Sequence, residues 1–379
     1  MKLTTAGESH GKALVAIIEG IPAHLQIDIE KINDALALRQ SGYGRGARQK
    51  IERDKVEILS GVRNSETLGS PVTLCIFNKD YANWETTMSA GACVEADMQA
   101  KALTKVRPGH ADLAGVLKFN QTDARNVLER ASARETAIRV AAGGVYQQYL
   151  SSLGVEIGGY VKEVCGVKDG GRYAFTDLAR AKTTPLGMLN TEKEQEAMDK
   201  IAALKKDGDT AGGVVEIRVK GLKSGFGSVM TYDEKLDALL AQGLMSIQAV
   251  KGVEVGAGFE VASRSGKEIH DEIYYDEERG YYRETNRAGG IEGGMSNGEE
   301  IILRVAMKPI PTLMKGLNTV DMRTNDKTVA AAERSDICAI FALEIIAEAV
   351  VAQVLASVIQ RRLGGDTMAQ VKQRYELLP

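Results

Sequence analysis

The chain has 379 residues, of which 44% are hydrophobic and 26% charged, and its formal net charge is −3. This composition is typical of a globular protein with enough apolar material for a sizeable core. Aromatic residues make up only 5%, which disfavours a stacking platform for single-stranded nucleic acid. The acidic balance likewise disfavours a general polyanion binder.

Four cysteines lie far apart in the sequence without any Cys-x-x-Cys pair, so neither a zinc ribbon nor a redox dithiol is indicated and no metal site is expected. Scattered free thiols suit a reducing cytosol. The N-terminal stretch MKLTTAGESHGKALVAIIEG lacks the long apolar run of a signal peptide. No stretch is expected to reach the ~20 apolar residues that span a bilayer. We therefore expect a cytoplasmic protein that contacts no membrane.

The first half of the chain predicts alternating strands and helices. Its elements are a buried strand at 13–22, a helix over 27–40 capped by Asp28, strands at 55–62 and 70–78, and a long helix from about Ala124 to Leu153 that Gly154 ends.

The second half repeats this order, with a strand at 212–221, an amphipathic helix at 232–244, strands at 251–259 and 299–308, and a long apolar helix at 338–365. The repetition predicts an internal duplication of about 1–155 and 205–379 within one domain of 1–379. Because strands and helices do not alternate one to one, we expect antiparallel sheets in an α+β fold. The polar insert near 166–209 is predicted to be a solvated connector whose second part is an exposed helix.

Several predicted loops carry more arginine and glycine than a connection needs. The segment 38–54 contains Arg39, Arg45, Arg48 and Arg53 among glycines. Guanidinium groups match the oxygens of phosphates and carboxylates, and glycine lets the backbone approach a ligand. A flexible solvated loop and an RNA-binding Arg-Gly loop are the alternatives for this segment.

Two further segments combine cations with imidazole or small residues. KVRPGHADLAG at 105–115 presents His110 after a Pro-Gly turn, between an arginine and an aspartate. LERASARETAIRVAAGG at 128–144 places three arginines near helical spacing. For this second segment alone, a salt-bridged helix face with Glu129 and Glu135 is the favoured interpretation.

The remaining candidate segments are rich in glycine or proline. AGGIEGGMSNGEEI at 288–301 could wrap a planar or phosphorylated cofactor with its N–H groups, although it lacks the Rossmann pattern. In KPIPT at 308–312, two prolines stiffen the backbone between a lysine and a threonine. In AERSDICAI at 332–340, Arg334 and Asp336 are predicted at the start of the last helix, where N–H groups favour an anion. Together the segments predict an enzyme that holds an anion with arginines and moves protons with imidazoles.

The motifs GESHG, GRGARQKIERD, RPGHAD, RASARETA, GGMSNGE with KPIPT, and ERSD occur in the order and approximate spacing of the chorismate synthase family, which the chain resembles from residue 6 to about 360. The resemblance implies a 1,4-anti elimination of phosphate from 5-enolpyruvylshikimate 3-phosphate. The product would be chorismate, at the last common step of aromatic amino acid biosynthesis. It also implies reduced FMN as cofactor, NADPH as a candidate reductant, and a homotetramer with helices between antiparallel sheets.

The resemblance also assigns site residues by position. His10 would serve as cation or acid at the leaving phosphate, and His110 would supply a proton near the flavin. Asp336 would help to manage the ring proton, with the flavin as the immediate base. The stretch after Asp336 departs from the family because it lacks the proline that members often carry. The substrate- or NADPH-binding positions are Arg39, Arg45, Arg48, Arg107 and Arg134. The cofactor-binding positions are Ser132, Ala133, Arg134, Gln248, Ala249, Gly293, Lys308, Pro309, Ile310, Pro311, Thr312 and Arg334.

Two rival functions belong to different classes. An RNA-binding protein would use the Arg-Gly loop and show phosphate-dominated, salt-sensitive binding. A flavin-dependent redox enzyme would use the same pocket for hydride transfer. Formation of chorismate and phosphate from the enolpyruvyl phosphate distinguishes both from a chorismate synthase.

Overall fold

The structure is a computed structural model that describes residues 1–46, 53–330 and 335–379. Arg48 and Arg334 lie outside these described residues. The described strands are β1 (Lys2–Ala6), β2 (Ala13–Glu19), β3 (Glu57–Ser60), β4 (Val62–Arg63), β5 (Glu66–Thr67), β6 (Val72–Phe77), β7 (Glu156–Val164), β8 (Val167–Lys168), β9 (Gly213–Lys220), β10 (Val250–Val255), β11 (Ile273–Asp276), β12 (Gly280–Arg283), β13 (Ile291–Glu292), β14 (Met295–Ser296), β15 (Ile301–Met307), β16 (Asn318–Val320) and β17 (Lys327–Val329). The described α-helices are α1 (Ile29–Gln40), α2 (Glu85–Met88), α3 (Glu95–Lys101), α4 (Asp112–Phe119), α5 (Arg125–Ala131), α6 (Thr136–Ser151), α7 (Thr191–Lys206), α8 (Leu236–Met245), α9 (Gly266–Ile269), α10 (Ile340–Leu363) and α11 (Met368–Glu376).

Two antiparallel sheets form the outer layers of the main core. One has the strand order β1-β2-β6-β3 and the other has the order β10-β15-β9-β7-β8. Every pairing within these sheets is antiparallel. In β15 buried and half-buried residues alternate, as expected for a strand with one face on a core. The prediction of an α+β fold with antiparallel sheets is confirmed.

Long helices fill the space between the sheets. Helix α6 packs on β2 and β6, helix α10 packs on β7, β9 and β15, and the two helices pack on each other. Their contact is close at Gly143, where an added Cβ would lie 2.3 Å from the Cβ of Ala349. Glycine therefore permits a helix separation that no larger residue would allow. Asp28 caps α1 by accepting bonds from the N–H groups of Glu30 and Lys31, as predicted.

The predicted long helix over 124–153 is interrupted. Ser132 adopts extended backbone angles (φ −62, ψ 140) between α5 and α6, and its side chain accepts a bond from the Arg134 N–H. A short 3₁₀ turn, Ala133–Glu135, follows before α6 begins. The apolar periodicity continues across this break and therefore does not predict it. One serine that bonds to the backbone is enough to end a helix.

The last long helix differs from its prediction in two ways. It begins at Ile340, so Asp336 precedes the helix and does not lie at its N-terminus. The helix has 24 residues, and an 18-residue window within it has a mean hydropathy of 2.0, so by length and composition it could cross a membrane, and the expectation that no stretch reaches that length is wrong. Within this fold 83% of its apolar window is buried between the sheets.

The insert near 166–209 is less solvated than predicted. Its predicted helix is present as α7, and Ala197 and Ile201 of that helix belong to the main core. Lys182, which precedes α7, binds the carboxylates of Glu344 and Glu348 on α10. The expectation of a purely solvated connector is therefore wrong for this part of the chain.

Candidate functional site

The GESHG loop connects the antiparallel strands β1 and β2 and holds His10 against α5. Gly7 has φ +109, and a Cβ there would lie 2.3 Å from the carbonyl oxygen of Ala13, so only glycine fits this turn. The imidazole Nδ1 of His10 lies 2.9 and 3.0 Å from the two carboxylate oxygens of Glu129. The backbone N–H of His10 donates to the same carboxylate at 2.8 Å.

Glu129 is a buried carboxylate that serves both His10 and Arg125. Arg125 NH1 lies 3.2 Å from one of its oxygens. Burial by itself raises the pKa of Glu129, but the hydrogen bonds and charge of His10, together with the charge of Arg125, outweigh burial and lower the pKa below its ordinary value. Glu129 is therefore ionised at neutral pH, and it can only accept hydrogen bonds.

Three arginines form a buried cationic group beside this loop, which we call the arginine cluster: Arg39, Arg45 and Arg134. Burial and the charges of the other two arginines lower the pKa of Arg39 to about 9, partly offset by Asp54 and Asp336. Arg134 binds Asp54 through two bonds of 2.6 and 2.8 Å.

At Arg39, burial and two neighbouring guanidinium charges thus lower the pKa by more than the charges of Asp54 and Asp336 raise it. Such an excess of buried positive charge is costly unless an anion compensates it. The arginine cluster is therefore suited to hold phosphate or carboxylate groups.

Asn78 joins the GESHG loop to the arginine cluster. Its side-chain amide donates to the carbonyl of Gly11 at 2.7 Å and to that of Glu8 at 3.2 Å. Its oxygen accepts a bond of 3.0 Å from Nε of Arg134. Asn78 follows β6 directly, so the end of a core strand fixes the two groups relative to each other.

His110 has a carboxylate partner of its own. Its Nδ1 lies 2.5 Å from Oδ1 of Asp112, the first residue of α4. Arg107 binds the same carboxylate at 2.8 and 3.0 Å and contacts Thr312 at 3.2 Å. Burial opposes ionisation of Asp112, yet the hydrogen bonds and charges of His110 and Arg107 hold its pKa well below the ordinary value.

The KPIPT segment meets the His110 loop directly. Nζ of Lys308 donates to the carbonyl of Gly109 at 2.7 Å, and its backbone N–H donates to the carbonyl of Ala249 at 3.0 Å. Burial and the charge of Lys251 lower the pKa of Lys308. Ala249 has φ +70, a conformation that alanine rarely adopts, which is typical of backbone held for a function.

Most of the other predicted positions lie next to these groups. Gln248 donates to Glu135 at 3.3 Å, next to Arg134. The carbonyl of Ala133 accepts a bond of 2.9 Å from Arg39, and Pro309, Ile310 and Pro311 lie between Lys308 and Thr312. Asp336 accepts a bond of 2.6 Å from the Gly46 N–H and lies 3.4 Å from Nε of Arg45.

Gly293 is separate from the rest of the predicted site. It lies in the turn between β13 and β14, and the adjacent Gly294 carbonyl accepts a bond from the N–H of Leu236. Helix α8, about 15 Å long at its ten residues, separates this turn from Gln248. An added Cβ at Gly293 would meet nothing within 4 Å, so the turn is open.

The roles of four partners of the site were not predicted from the sequence: Glu129, Asp54, Asn78 and Trp84. Glu129 was noticed only as a partner in a helix salt bridge, although it binds His10 across 119 residues of sequence. Trp84 stacks on the His10 ring at a centroid distance of 4.0 Å. Its uniqueness in the chain was the one available signal. The salt-bridged face predicted with Glu129 and Glu135 is present in part, because Arg130 lies 3.9 Å from Glu135 and Arg125 lies 3.2 Å from Glu129, whereas Arg134 binds Asp54.

Two polar atoms in this region are buried and have no hydrogen-bond partner among the described residues: Nε of Arg45 and Oε1 of Gln248. An unsatisfied buried polar group costs about 1–3 kcal/mol, so such atoms are typical of a site completed by a bound group. The whole arrangement can bind a polyanion and offers two imidazoles whose Nδ1 atoms are held by carboxylates.

Known proteins match this chain over nearly its whole length. The sequence model of the family described as chorismate synthase matches residues 1–359. The chorismate synthase of Caldicellulosiruptor bescii is 52% identical over 380 residues, which cover 99% of this chain and 98% of the relative. The chorismate synthase of Geobacter metallireducens is 51% identical over 385 residues, with the same coverage of both chains.

A solved structure described as a crystal structure of chorismate synthase is 39% identical, with a TM-score of 0.78, and the match covers 99% of this chain and 96% of that one. Sequence and fold therefore agree along the entire chain and not only at the motifs. The chain belongs to the chorismate synthase family, whose members are lyases of the shikimate pathway.

Proposed function

We propose that this site eliminates phosphate from 5-enolpyruvylshikimate 3-phosphate in a 1,4-anti elimination that yields chorismate and requires reduced FMN. The observation that carries the proposal is the arginine cluster, in which burial and two neighbouring guanidinium groups lower the pKa of Arg39 to about 9, beside two carboxylate-held histidines. The proposed substrate has one phosphate and two carboxylates, which an excess of fixed cations would bind.

The arginine cluster and Arg107 are proposed to bind the anionic groups of the substrate, and Arg48 is included by its position in the family motif. His10 is proposed to lie at the departing phosphate, where a positioned cation or acid stabilises the charge that develops on the leaving oxygen. His110 would hold a proton beside the cofactor. Asp336, held by Arg45 and Gly46, would help to receive the proton that leaves the substrate ring.

One observation in this structure indicates that the residues of the site fit FMN. Nε of Arg45 and Oε1 of Gln248, which make no hydrogen bond within the described residues, provide one donor and one acceptor for an anionic heteroaromatic group. Bound in reduced form, FMN would supply electron density for cleavage of the carbon–oxygen bond. The residues proposed to hold it are Ser132, Ala133, Arg134, Gln248, Ala249, Lys308, Pro309, Ile310, Pro311, Thr312 and Arg334. Gly293, which lies apart from the others, is included only by its position in the family motif.

The decisive experiment is an anaerobic assay of the protein with reduced FMN and 5-enolpyruvylshikimate 3-phosphate. We expect equal amounts of chorismate and phosphate, and no product when FMN is left oxidised. NADPH, the proposed reductant, is tested by replacing reduced FMN with oxidised FMN and NADPH in the same assay. Phosphate without chorismate, or substrate-dependent oxidation of the flavin, would favour a hydrolase or a hydride-transferring enzyme instead.

We expect FMN to bind weakly alone and more tightly with substrate, because an anion relieves the mutual repulsion of the arginine cluster. A coupling of 1–3 kcal/mol, or about 5–150-fold in the dissociation constant, is typical of linked sites. Titration of FMN with and without 5-enolpyruvylshikimate 3-phosphate measures this coupling. An Arg39→Gln variant should show little of it, and equal FMN affinity in both titrations of the unmodified protein would contradict the prediction.

The proposal extends to the internal duplication and to assembly. With β8 left out, the strand orders β1-β2-β6-β3 and β7-β9-β15-β10 support equivalence of β2 with β9, because each sheet pairs its strands in the same chain order. This equivalence places β7 (Glu156–Val164) in the second repeat, which would then begin before residue 205. An exposed apolar face of Ile273, Tyr275 and Tyr281 on the β11–β12 hairpin supports a contact with another subunit. The proposed homotetramer should sediment at four times 40.8 kDa. Four free cysteines support a cytoplasmic location.

A further inference from the structure

The environment of His10 contains two side chains to which the proposed function assigns no part. Glu129 holds Nδ1 and the backbone N–H of His10, and its side chain is only 1% exposed. Trp84 covers the imidazole face in a stack with a centroid distance of 4.0 Å and an interplanar angle of 26°. No hydrogen bond from residues 1–46, 53–330 or 335–379 reaches Nε2 of His10.

This geometry determines which nitrogen is available. Because an ionised carboxylate accepts hydrogen bonds and cannot donate them, Nδ1 of His10 must carry a proton. The second ring nitrogen, Nε2, is then the atom that gains or releases a proton. The stack on Trp84 restricts rotation of the ring, and an indole face also attracts a cationic imidazolium.

The other charged groups near this pair do not reverse that preference. Lys101 and Arg125 lie 4.2 and 4.9 Å from the centroid of the Trp84 ring, and Asp80 accepts a bond of 3.2 Å from the indole N–H. Lys101 and Asp80 face the tryptophan, and Arg125 also binds Glu129 at 3.2 Å, whereas Glu129 touches the imidazole itself. The nearest charge dominates because Coulomb energy falls with distance.

We propose that Glu129 and Trp84 are positioning residues that fix the tautomer and the orientation of His10, so that Nε2 is the atom presented to the departing phosphate. The inference rests on the proposed role of His10 at that phosphate. It adds that Nδ1 of His10 keeps its proton throughout the reaction. It also adds that loss of Glu129 or Trp84 impairs the function of His10 although the histidine itself is still present.

Trp84 also provides the measurement, because it is the only tryptophan in the chain. A protonated imidazole in contact with an indole quenches its fluorescence, whereas a neutral imidazole quenches much less. The fluorescence of Trp84 should therefore rise with pH as His10 loses its proton. The titration needs neither FMN nor substrate, so its outcome is independent of whether the protein forms chorismate.

The test compares the pH midpoint of this fluorescence change in the unmodified protein and in Glu129→Gln. We expect the midpoint to fall by about one pH unit or more, because removal of an opposite charge in contact disfavours the protonated ring. His10→Gln should abolish the change. Glu66→Gln, which removes the carboxylate beside the exposed His24, is the matched control and should leave it unaltered.

Turnover supplies the second readout. Glu129→Gln should lower kcat at neutral pH by ~10-fold or more, with recovery as the pH is lowered, because acid restores the protonated ring. Loss of kcat to the same extent at every pH, or an unchanged fluorescence midpoint, would overturn the role of Glu129. If Glu129→Gln does not fold, Arg125→Gln replaces it and should raise the midpoint, because Glu129 then interacts with His10 alone.

The role of Trp84 is tested separately by Trp84→Ala and Trp84→Phe. The alanine variant uncovers one face of the ring, so kcat should fall by ~10-fold while KM for the substrate changes little. The phenylalanine variant keeps an aromatic face and should restore most of kcat. Equal losses in both variants, or a loss confined to KM, would show that Trp84 does not position His10.

Discussion

His10 and His110 are held by the same arrangement on unrelated segments of the chain. In each case Nδ1 bonds a buried carboxylate, and an arginine binds that carboxylate from another side: Arg125 for Glu129 and Arg107 for Asp112. An acceptor at Nδ1 fixes the tautomer and the ring orientation. The arginine in turn keeps the carboxylate ionised, so each imidazole has a fixed direction in which to act.

We expect His10→Ala and His110→Ala each to lower turnover by ~10²-fold or more, the usual scale for a positioned acid–base group. They should differ in kind, since loss of His10 should leave FMN binding nearly intact. Loss of His110 should alter the absorbance of reduced FMN when substrate is bound. Steady-state kinetics and flavin spectra measure both effects.

His24→Asn is the control for these variants. His24 has φ +67 and a side chain that is 68% exposed, and asparagine tolerates that backbone conformation better than alanine does. Its turnover should stay normal. Near-normal turnover of both His10→Ala and His110→Ala would contradict the proposed mechanism.

The sequence predicted the histidines and arginines of the site but not most of their partners. His10 and Arg107 stand in short motifs, and Asp112 is close enough in sequence to be noticed beside His110. Glu129 and Asp54 reach their partners across 119 and 80 residues, so only the fold brings them together. Electrostatic pairing over such separations has no periodic signal in one sequence.

At the scale of elements, a buried group of Lys182, Glu344 and Glu348 ties the insert to α10. Burial and the charge of Glu348 raise the pKa of Glu344 well above its ordinary value of 4.5, although Lys182 opposes the shift. A carboxyl group whose pKa is raised in the fold contributes its full stability below its ordinary pKa. That contribution is lost as the pH rises through the raised value.

Glu344→Gln should therefore become more stable relative to the unmodified protein as the pH rises from 5 to 8. Glutamine cannot ionise, so it avoids the cost of placing a second negative charge beside Glu348. The free-energy difference should change by about 1.4 kcal/mol for each pH unit between the two pKa values of Glu344. Denaturant unfolding at several pH values measures it.

The exposed Glu376 provides the matched control, and Glu376→Gln should show no such trend. A relative stability of Glu344→Gln that falls with rising pH would contradict the prediction.

The strands and the two long helices were predictable because apolar residues predominate in them, as in β15 and α10. The break at Ser132 and the start of α10 after Asp336 were not predictable, since both depend on single side chains that bond to the backbone or to a distant loop. The packing of the insert could not be predicted because Lys182 is charged, and a lysine is expected at the surface unless its carboxylate partners are known.

At the scale of the whole molecule, helices from both halves share one core. Helix α6 of the first half contacts α10 of the second, and α1 contacts both. We expect fragments 1–154 and 155–379, expressed separately, to lack cooperative thermal unfolding by circular dichroism. Each fragment alone would expose the apolar face that the other covers. Mixing the two should restore a cooperative transition, and an independently folded first fragment would contradict this prediction.

The contact between α6 and α10 also has a consequence for how the protein is made. Tyr149 on α6 and Gln360 on α10 are hydrogen-bonded at 3.0 Å although 211 residues separate them in the sequence. At a synthesis rate of about 5–20 residues per second, roughly 10 to 40 seconds pass between the emergence of these two residues from the ribosome. During that interval the nascent first half carries an apolar helix face that α10 does not yet cover, and exposed apolar surface of this kind makes an incomplete fold prone to aggregation.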